Sequence, residues 1–136
     1  MPKPSYPRTA RPALIVGSIA IDCVGTPFAQ SDHILGGAAS YAAIAASYFA
    51  PTRLTGIVGA DFPPAFLQRY RKHGIDTAGL QIDPTGKTFF WSGRYRDNFA
   101  GRDTLTIQLN VFDKFSPELP AAYCDTPFVM LGAIQP

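Results

Sequence analysis

The chain has 136 residues, of which 46% are hydrophobic and 16% are charged, and its formal net charge is +2. These values are typical of one folded domain or part of one, and they exclude a disordered chain. The small charge argues against a nucleic-acid partner, and no apolar run reaches the roughly 18 residues that cross a membrane. Cys23 and Cys124 are predicted to be buried thiols of a cytoplasmic protein, and no metal-ligand spacing links them to His33 or His73.

Residues 1–12 are predicted to be a flexible leader, because they contain four prolines and three basic residues but no apolar core of a secretory signal. The folded part, residues 13–136, is predicted to begin with a continuous buried strand over Ala13–Asp22. The next stretch, Cys23–Leu35, is interrupted by glycine and proline and is either a short hairpin or an irregular loop.

Two helix–strand units follow this first strand. Ala38–Phe49 is rich in alanine and free of glycine and proline, which predicts a helix largely buried against a sheet. Arg53–Asp61 is predicted to be a second buried strand, and residues 63–74 a helix with prolines at its start and Gly74 as its C-cap. A short strand near Leu80–Ile82 completes a β-α-β-α-β order, which is typical of a layered α/β domain with a parallel sheet.

The pattern changes in the second half of the chain. Lys87–Asp97 and Asp103–Phe112 alternate and are rich in β-branched and aromatic residues, so they are predicted to form a hairpin or a pair of edge strands. The stretch SPELPAAYC predicts a short helix capped by Ser116. Residues 127–136 begin one more strand, which is predicted to be buried.

The sequence does not support two common nucleotide-binding motifs. Asp83–Thr88 ends in Gly-Lys-Thr, but Gln81 occupies the position of the first P-loop glycine and a strand pattern follows, so a turn glycine in a hairpin is predicted instead. No Gly-x-Gly-x-x-Gly sequence follows the first strand, and a dinucleotide-binding fold of the usual kind is therefore not indicated.

Asp22 and a glycine pair are the candidate ligand-binding residues. Asp22 ends an apolar strand, where a carboxylate is costly to bury alone, so it either caps a nearby turn or accepts hydrogen bonds from ligand hydroxyl groups. Gly36 and Gly37 either let a ligand approach the unpaired amides of the following helix or only let that helix pack tightly. For Asp61 a helix cap is predicted, because a helix begins directly after it.

Residues 13–136 resemble, in order and spacing, the N-terminal half of the pfkB-type, ribokinase-like carbohydrate kinases. The resemblance lies in VGSIAIDCVG, LGGAASYAAIAASYFAPTRLTGIVGADF, FLQRYRKHGIDTAGL, TGKTFFWSGRY and FSPELP. It implies an α/β fold, a partial three-layer α/β/α sandwich with a small β-lid formed by Lys87–Tyr95 and Thr104–Asn110. Kinases of this family transfer the γ-phosphoryl group of ATP, with Mg²⁺, to a hydroxymethyl oxygen of a sugar, nucleoside or related alcohol.

The resemblance implies substrate-binding roles for four residues. Asp22 would accept hydrogen bonds from substrate hydroxyl groups, and Gly36 and Gly37 would present their backbone to the same substrate. Tyr41 stands where the family commonly has Asn, and Ala20 stands where ribose-specific members have Asn. Both departures indicate a different or larger alcohol than ribose.

The second signature of the family, a glycine-rich anion hole with an Asp that acts as base, does not occur in this sequence, and neither do the nucleotide-binding elements. No catalytic residue and no metal ligand is therefore assigned, and ATP and Mg²⁺ are expected only for a full-length kinase. The leading hypothesis is the substrate-binding N-terminal portion of a sugar or nucleoside kinase, inactive as an isolated chain. The alternative is a non-catalytic ligand-binding or dimerisation fragment, a homodimer formed through the lid strands.

Overall fold

The computed structural model describes residues 5–7 and 9–134 of the chain. The strands are β1 (Ala13–Gly17), β2 (Ala20–Gly25), β3 (Gln30–Gly36), β4 (Thr52–Gly59), β5 (Asp76–Asp83), β6 (Phe89–Tyr95), β7 (Arg102–Gln108) and β8 (Phe128–Gly132). The helices are α1 (Ala38–Ala46) and α2 (Pro64–Lys72), and two 3₁₀ turns span Asn110–Lys114 and Ala121–Tyr123.

The strands form two four-stranded sheets. The first, here called the body sheet, has the order β5-β4-β1-β8 with parallel neighbours throughout. The second, here called the lid sheet, has the order β3-β2-β6-β7, in which β2 and β6 are parallel and both outer pairs are antiparallel. The parallel α/β sheet and the β6–β7 hairpin are as predicted, and Cys23–Leu35 forms a hairpin rather than an irregular loop.

Both helices pack on one face of the body sheet. Their inward side chains, including Ala39 of α1 and Tyr70 of α2, form one buried core with Leu54 and Val58 of β4. The second 3₁₀ turn covers part of the opposite face through Tyr123. None of the helices within residues 5–7 and 9–134 is long and apolar enough to cross a membrane.

The prediction of one continuous strand over Ala13–Asp22 is wrong. The chain leaves the body sheet after Gly17, crosses through Ser18 and Ile19, and enters the lid sheet at Ala20. Ile19 and Ala20 are as buried as the strand residues before them. Because both sheets bury this segment, its hydrophobicity carries no sign of the crossing, and Asp22 lies within a lid strand rather than at a strand end.

The prediction that α1 is largely buried is also wrong. Ala39 and Ala43 are buried against the body sheet, whereas Tyr41 and Phe49 are exposed, and the helix ends at Ala46. A helix that packs on a sheet contacts it along one face only. The composition of the helix does not indicate whether another helix or strand covers its outer face.

The segment around SPELPAAYC forms a 3₁₀ turn rather than the predicted short helix. The turn covers only Ala121–Tyr123, and its N-cap is Pro120 instead of Ser116. A proline disfavours the helical conformation at the residue before it, so helical structure cannot run from Leu119 through Pro120.

Both cysteines carry free thiols, but only one is buried. Cys23 on β2 is buried as predicted, whereas Cys124 is exposed. The neighbouring Tyr123 takes the inward position, where its hydroxyl group donates to the Asp76 carbonyl oxygen at 3.0 Å and accepts from the Gly79 amide at 3.3 Å. This anchorage turns Cys124 towards solvent.

Part of the predicted leader, residues 1–4 and 8, lies outside the described residues. Within the described part, the hydroxyl group of Tyr6 donates a hydrogen bond to the carbonyl oxygen of Ser47, directly after α1.

Asp61 does not cap α2, contrary to the prediction, because it joins the body sheet to the lid. Its Oδ1 accepts hydrogen bonds from the backbone N–H and the hydroxyl group of Thr88, both at 2.8 Å. The Thr88 hydroxyl oxygen in turn accepts from the Gly59 amide at 3.0 Å. Asp83–Thr88 is a turn, as predicted, but it connects β5 of one sheet to β6 of the other rather than closing a hairpin.

We expect Thr88→Val to lower the free energy of unfolding by about 1–3 kcal/mol, because the buried Gly59 amide loses its acceptor. Thr106→Val is the matched control, since Thr106 is exposed on β7 and a surface substitution there changes stability by less than about 0.5 kcal/mol. Urea denaturation followed by circular dichroism measures both values. Equal stability of the two variants would contradict a structural role of this junction.

Candidate functional site

A cavity of about 540 Å³ lies where the lid sheet meets the start of α1 and the end of β8. Its walls come from all four lid strands, from the start of α1, and from Ser18 and Ala133, which directly follow β1 and β8; they are mostly apolar. The lining residues are Ser18, Ala20, Asp22, Val24, Ile34, Gly37, Ala38, Tyr41, Phe89, Trp91, Tyr95, Arg102 and Ala133. The volume suits a small molecule.

Asp22 is the acidic residue of this cavity wall. Its Oδ1 atom is buried and has no hydrogen-bond partner among the residues that the structure describes. Burial raises the pKa of the Asp22 carboxyl group from 3.8 to about 6. A buried carboxylate oxygen without a partner is unfavourable, so this atom is ready to accept a hydrogen bond from a ligand.

The glycine pair makes room for Asp22 and for the backbone beside it. A Cβ atom at Gly36 would overlap the carboxyl group of Asp22, and one at Gly37 would overlap the backbone of Ser18. Gly37 also has a φ of 91°, which L side chains rarely adopt. Gly37 lines the cavity. Gly36 does not line it, but it leaves the space that the Asp22 carboxyl group occupies.

Ser18 accepts hydrogen bonds from two backbone amides of α1 that could otherwise bind a ligand. The Ala38 N–H donates to the Ser18 hydroxyl oxygen at 3.0 Å, and the Ala39 N–H donates to the Ser18 carbonyl oxygen at 3.0 Å. These two amides therefore lack partners within α1, as the sequence indicated, but they bond to Ser18 rather than facing a ligand. Sequence reasoning missed Ser18, because the hydrophobicity of residues 13–22 gives no sign of the crossing between the two sheets that places it here.

A second set of hydrogen bonds, made by Ser40 and Tyr70, fixes the start of α1. The Ser40 hydroxyl group donates to the Gly36 carbonyl oxygen at 2.6 Å and lies 2.8 Å from the hydroxyl oxygen of Tyr70 on α2. Burial raises the pKa of Tyr70 to about 12, so its hydroxyl group stays protonated at ordinary pH. Gly36 is thus positioned by both helices.

Aromatic side chains line the side of the cavity formed by the lid. Residues at alternate positions of a strand share one face, and Phe89, Trp91 and Tyr95 of β6 all line the cavity. The Arg102 guanidinium lies 5.5 Å from the centre of the Trp91 ring, within the range of a cation–π contact. Tyr95 and Arg102 were not singled out from the sequence, because only the hairpin pairing brings them to this wall.

The described residues contain no cluster of side chains that could together hold a metal ion. Among residues 5–7 and 9–134, no group of three or more His, Cys, Asp and Glu side chains could hold a metal ion. The carboxylates singled out from the sequence lie apart, since Asp22 lines the cavity and Asp61 is bound to Thr88 at the lid junction.

No protein-family model and no curated protein matches the chain, but solved structures do. The ribokinase from Cryptococcus neoformans var. grubii serotype A in complex with ADP is 18% identical, with a TM-score of 0.68, and the match covers 90% of this chain and 42% of that chain. The Methanocaldococcus jannaschii nucleoside kinase, an archaeal member of the ribokinase family, is 16% identical, with a TM-score of 0.67, over 89% of this chain and 44% of that chain.

The Burkholderia thailandensis nucleoside kinase in complex with inosine is also similar, at 20% identity and a TM-score of 0.61, over 74% of this chain and 37% of that chain. The chain spans less than half the length of each of these structures. At such low identity the likeness establishes the fold alone. The chain has part of the ribokinase-like fold, as the resemblance in the sequence predicted.

Proposed function

We propose that this part of a ribokinase-like fold is the substrate-binding portion of an ATP-dependent kinase that phosphorylates a hydroxymethyl group of a sugar or nucleoside-like alcohol. The observation that carries the proposal is the buried, unpartnered Oδ1 of Asp22 in a cavity roofed by a lid. The similarity to a ribokinase and to two nucleoside kinases supports the same class of substrate.

Four residues are proposed to bind the substrate. The Asp22 carboxylate accepts hydrogen bonds from substrate hydroxyl groups, and Gly37 and Tyr41 line the same cavity. Gly36 allows the carboxylate to lie where it does. The bound alcohol packs on the apolar lid wall, where the lower local dielectric strengthens its hydrogen bonds to a carboxylate.

ATP and Mg²⁺ are proposed for a full-length kinase and not for this chain alone. Phosphoryl transfer depends on positioning and on stabilising charge around the γ-phosphate. The family's glycine-rich signature with its base does not occur in the sequence, so the isolated chain is proposed to be inactive.

We also propose that residues 1–12 are a leader and that residues 13–136 are the kinase part. A cytoplasmic location is proposed as well, and the two free thiols support it.

Assembly through the lid is a second candidate function, favoured by one observation. Strand β7 is exposed along its whole length at the edge of the lid sheet, and Leu105 and Ile107 on one of its faces are 63% and 59% exposed. An exposed edge strand with apolar side chains is a site for pairing with another chain. Deletion of the β6–β7 hairpin separates the two functions: loss of ligand binding without a change in sedimentation supports substrate binding, whereas dissociation of a dimer supports assembly.

Isothermal titration of the chain with sugars and nucleosides, together with an ATP-turnover assay, tests the proposal. We expect weak binding of at least one alcohol of these classes and no ATP turnover. Turnover by the isolated chain would contradict the proposed inactivity. A folded chain that binds no compound of either class would contradict the substrate-binding role.

A further inference from the structure

Arg102 is the basic residue of the cavity wall, and its charge has no carboxylate partner among the residues that the structure describes. A carboxylate lies next to it in the chain, but Asp103 is paired with the guanidinium group of Arg96 at 2.6 Å. Asp22 lines the same cavity and forms no ion pair with Arg102. The cavity therefore carries one acidic and one basic side chain, and neither neutralises the other.

The indole ring of Trp91 positions the guanidinium group of Arg102. The guanidinium carbon lies 5.5 Å from the centre of this ring. The ring is itself fixed, because its Nε1–H donates to the Thr104 hydroxyl oxygen at 3.4 Å and because Gly93 leaves the space that its six-membered part occupies. A guanidinium group over an aromatic face keeps its in-plane N–H donors available. The contact thus orders Arg102 without using its hydrogen-bond donors.

Strand register places the two charged side chains on either side of Trp91. Asp22 of β2 is paired with Trp91 of β6, and Arg102 of β7 is paired with Tyr95, which follows Trp91 on the same face of β6. The backbones of β2 and β7 are therefore two strand spacings, or about 10 Å, apart. With the reach of both side chains, a small ligand is long enough to contact both charged groups.

We infer that the cavity selects a polyhydroxy alcohol that also carries an anionic group, a carboxylate or a phosphate, which Arg102 binds. This inference rests on the proposed substrate-binding role and adds the charge of the substrate to it. Hydroxyl groups of the ligand donate to Asp22, whereas its anionic oxygens accept from the guanidinium fork, whose planar shape matches carboxylates and phosphates. The charges also set the direction of binding, because an anionic group beside Asp22 would meet a like charge.

A neutral nucleoside is the competing ligand, because Phe89, Trp91 and Tyr95 offer aromatic rings on which a base could stack. Two features favour the anionic alcohol instead. One face of Trp91 is already covered by the guanidinium group of Arg102. A neutral base would also leave that guanidinium group without an anionic partner, so it would gain nothing from the charge.

Isothermal titration of the 136-residue chain with matched neutral and anionic alcohols tests the inference. Sorbitol and gluconate differ in a carboxylate, and fructose is compared with the fructose phosphate that keeps one hydroxymethyl group free. Inosine represents the neutral nucleosides. We expect at least one anionic compound to bind about tenfold or more tightly than its neutral counterpart, with a preference that decreases as salt is added. The pair that shows the preference identifies the anionic group.

Three variants assign the preference to one side chain. Arg102→Gln removes the charge, Arg102→Lys keeps it, and Arg94→Gln is the control, because Arg94 is an exposed arginine of the same hairpin that does not line this cavity. We expect Arg102→Gln to reduce the preference for the anionic compound to less than about twofold and Arg102→Lys to retain part of it, since lysine binds an anion only as a point charge. The control should match wild type.

The outcomes separate this inference from the proposed function. Equal affinity of wild type for neutral and anionic alcohols, or tightest binding of inosine, would overturn the inference and leave the substrate-binding role in place. An unchanged preference in Arg102→Gln would overturn it as well. A folded chain that binds none of the compounds would overturn the proposed function, and the inference with it. The wild-type preference and its salt dependence do not require any variant to fold.

Discussion

Asp22→Asn is expected to stabilise the chain near pH 7 and at the same time to weaken ligand binding by about 10- to 100-fold. The Oδ1 atom of Asp22 is buried without a partner, and burial raises the pKa of this carboxyl group from 3.8 to about 6. At pH 7 the charged form therefore costs free energy in the folded state. Because the group is about half exposed, the gain on removing the charge is about 1 kcal/mol after discounting for solvent screening.

The sign of the pH dependence follows from the raised pKa. The folded state holds the proton of Asp22 more tightly than the unfolded chain does. The contribution of this group to stability is fully present below pH 3.8 and is lost as the pH rises through about 6. The difference in stability between Asp22→Asn and wild type should therefore grow over this interval and level off above it, as urea denaturation at a series of pH values would show.

Asp61→Asn is the matched control, because it replaces another carboxylate of the chain. The Asp61 carboxylate accepts two hydrogen bonds from Thr88, so its replacement should destabilise the chain by about 1 kcal/mol. Opposite signs for the two variants are expected, with loss of ligand affinity only for Asp22→Asn. A destabilising Asp22→Asn variant with unchanged affinity would identify Asp22 as a structural cap.

Gly37→Ala is expected to lower the free energy of unfolding by about 3 kcal/mol or more. Gly37 has a φ of 91°, and an added Cβ atom would overlap the Ser18 backbone. Ser18 cannot move away without cost, because its hydroxyl and carbonyl oxygens hold the Ala38 and Ala39 amides. The same displacement would disturb the cavity, so ligand affinity should fall along with stability.

Gly101→Ala separates this effect from a general loss of glycine. The nearest atom to a Cβ at Gly101 is in the Arg96 side chain at 3.5 Å, an ordinary contact. Its stability should lie within about 0.5 kcal/mol of wild type in the same denaturation experiment. A Gly37→Ala variant as stable as Gly101→Ala would contradict the close contact between Ser18 and the start of α1.

The sequence predicted those elements whose signals are local. The helix of residues 64–72 has prolines at its start and a glycine after its end, and the β6–β7 hairpin has alternating strands around a turn. Each signal depends on neighbours in the chain and is readable without tertiary contacts. At SPELPAAYC a local signal was misread, because Leu119 precedes Pro120, which disfavours the helical conformation at that residue.

The residues of the candidate site likewise divide into those that the sequence indicated and those that it did not. The sequence singled out Asp22, Gly37 and Tyr41, and the structure brings all three to one cavity, although their binding roles stay a prediction. It did not indicate Ser18 or Arg102 as wall residues, because their positions depend on the crossing between sheets and on hairpin register.

The sequence by itself determined the α/β class, the order of most elements and the candidate carboxylate, because periodicity, turn residues and an isolated acidic residue are local properties. Only the tertiary structure decided that residues 13–22 divide between two sheets, that Asp61 holds Thr88, and that β8 is exposed. The physical reason is that a hydrophobic side chain favours burial, but its hydrophobicity does not specify which part of the fold buries it.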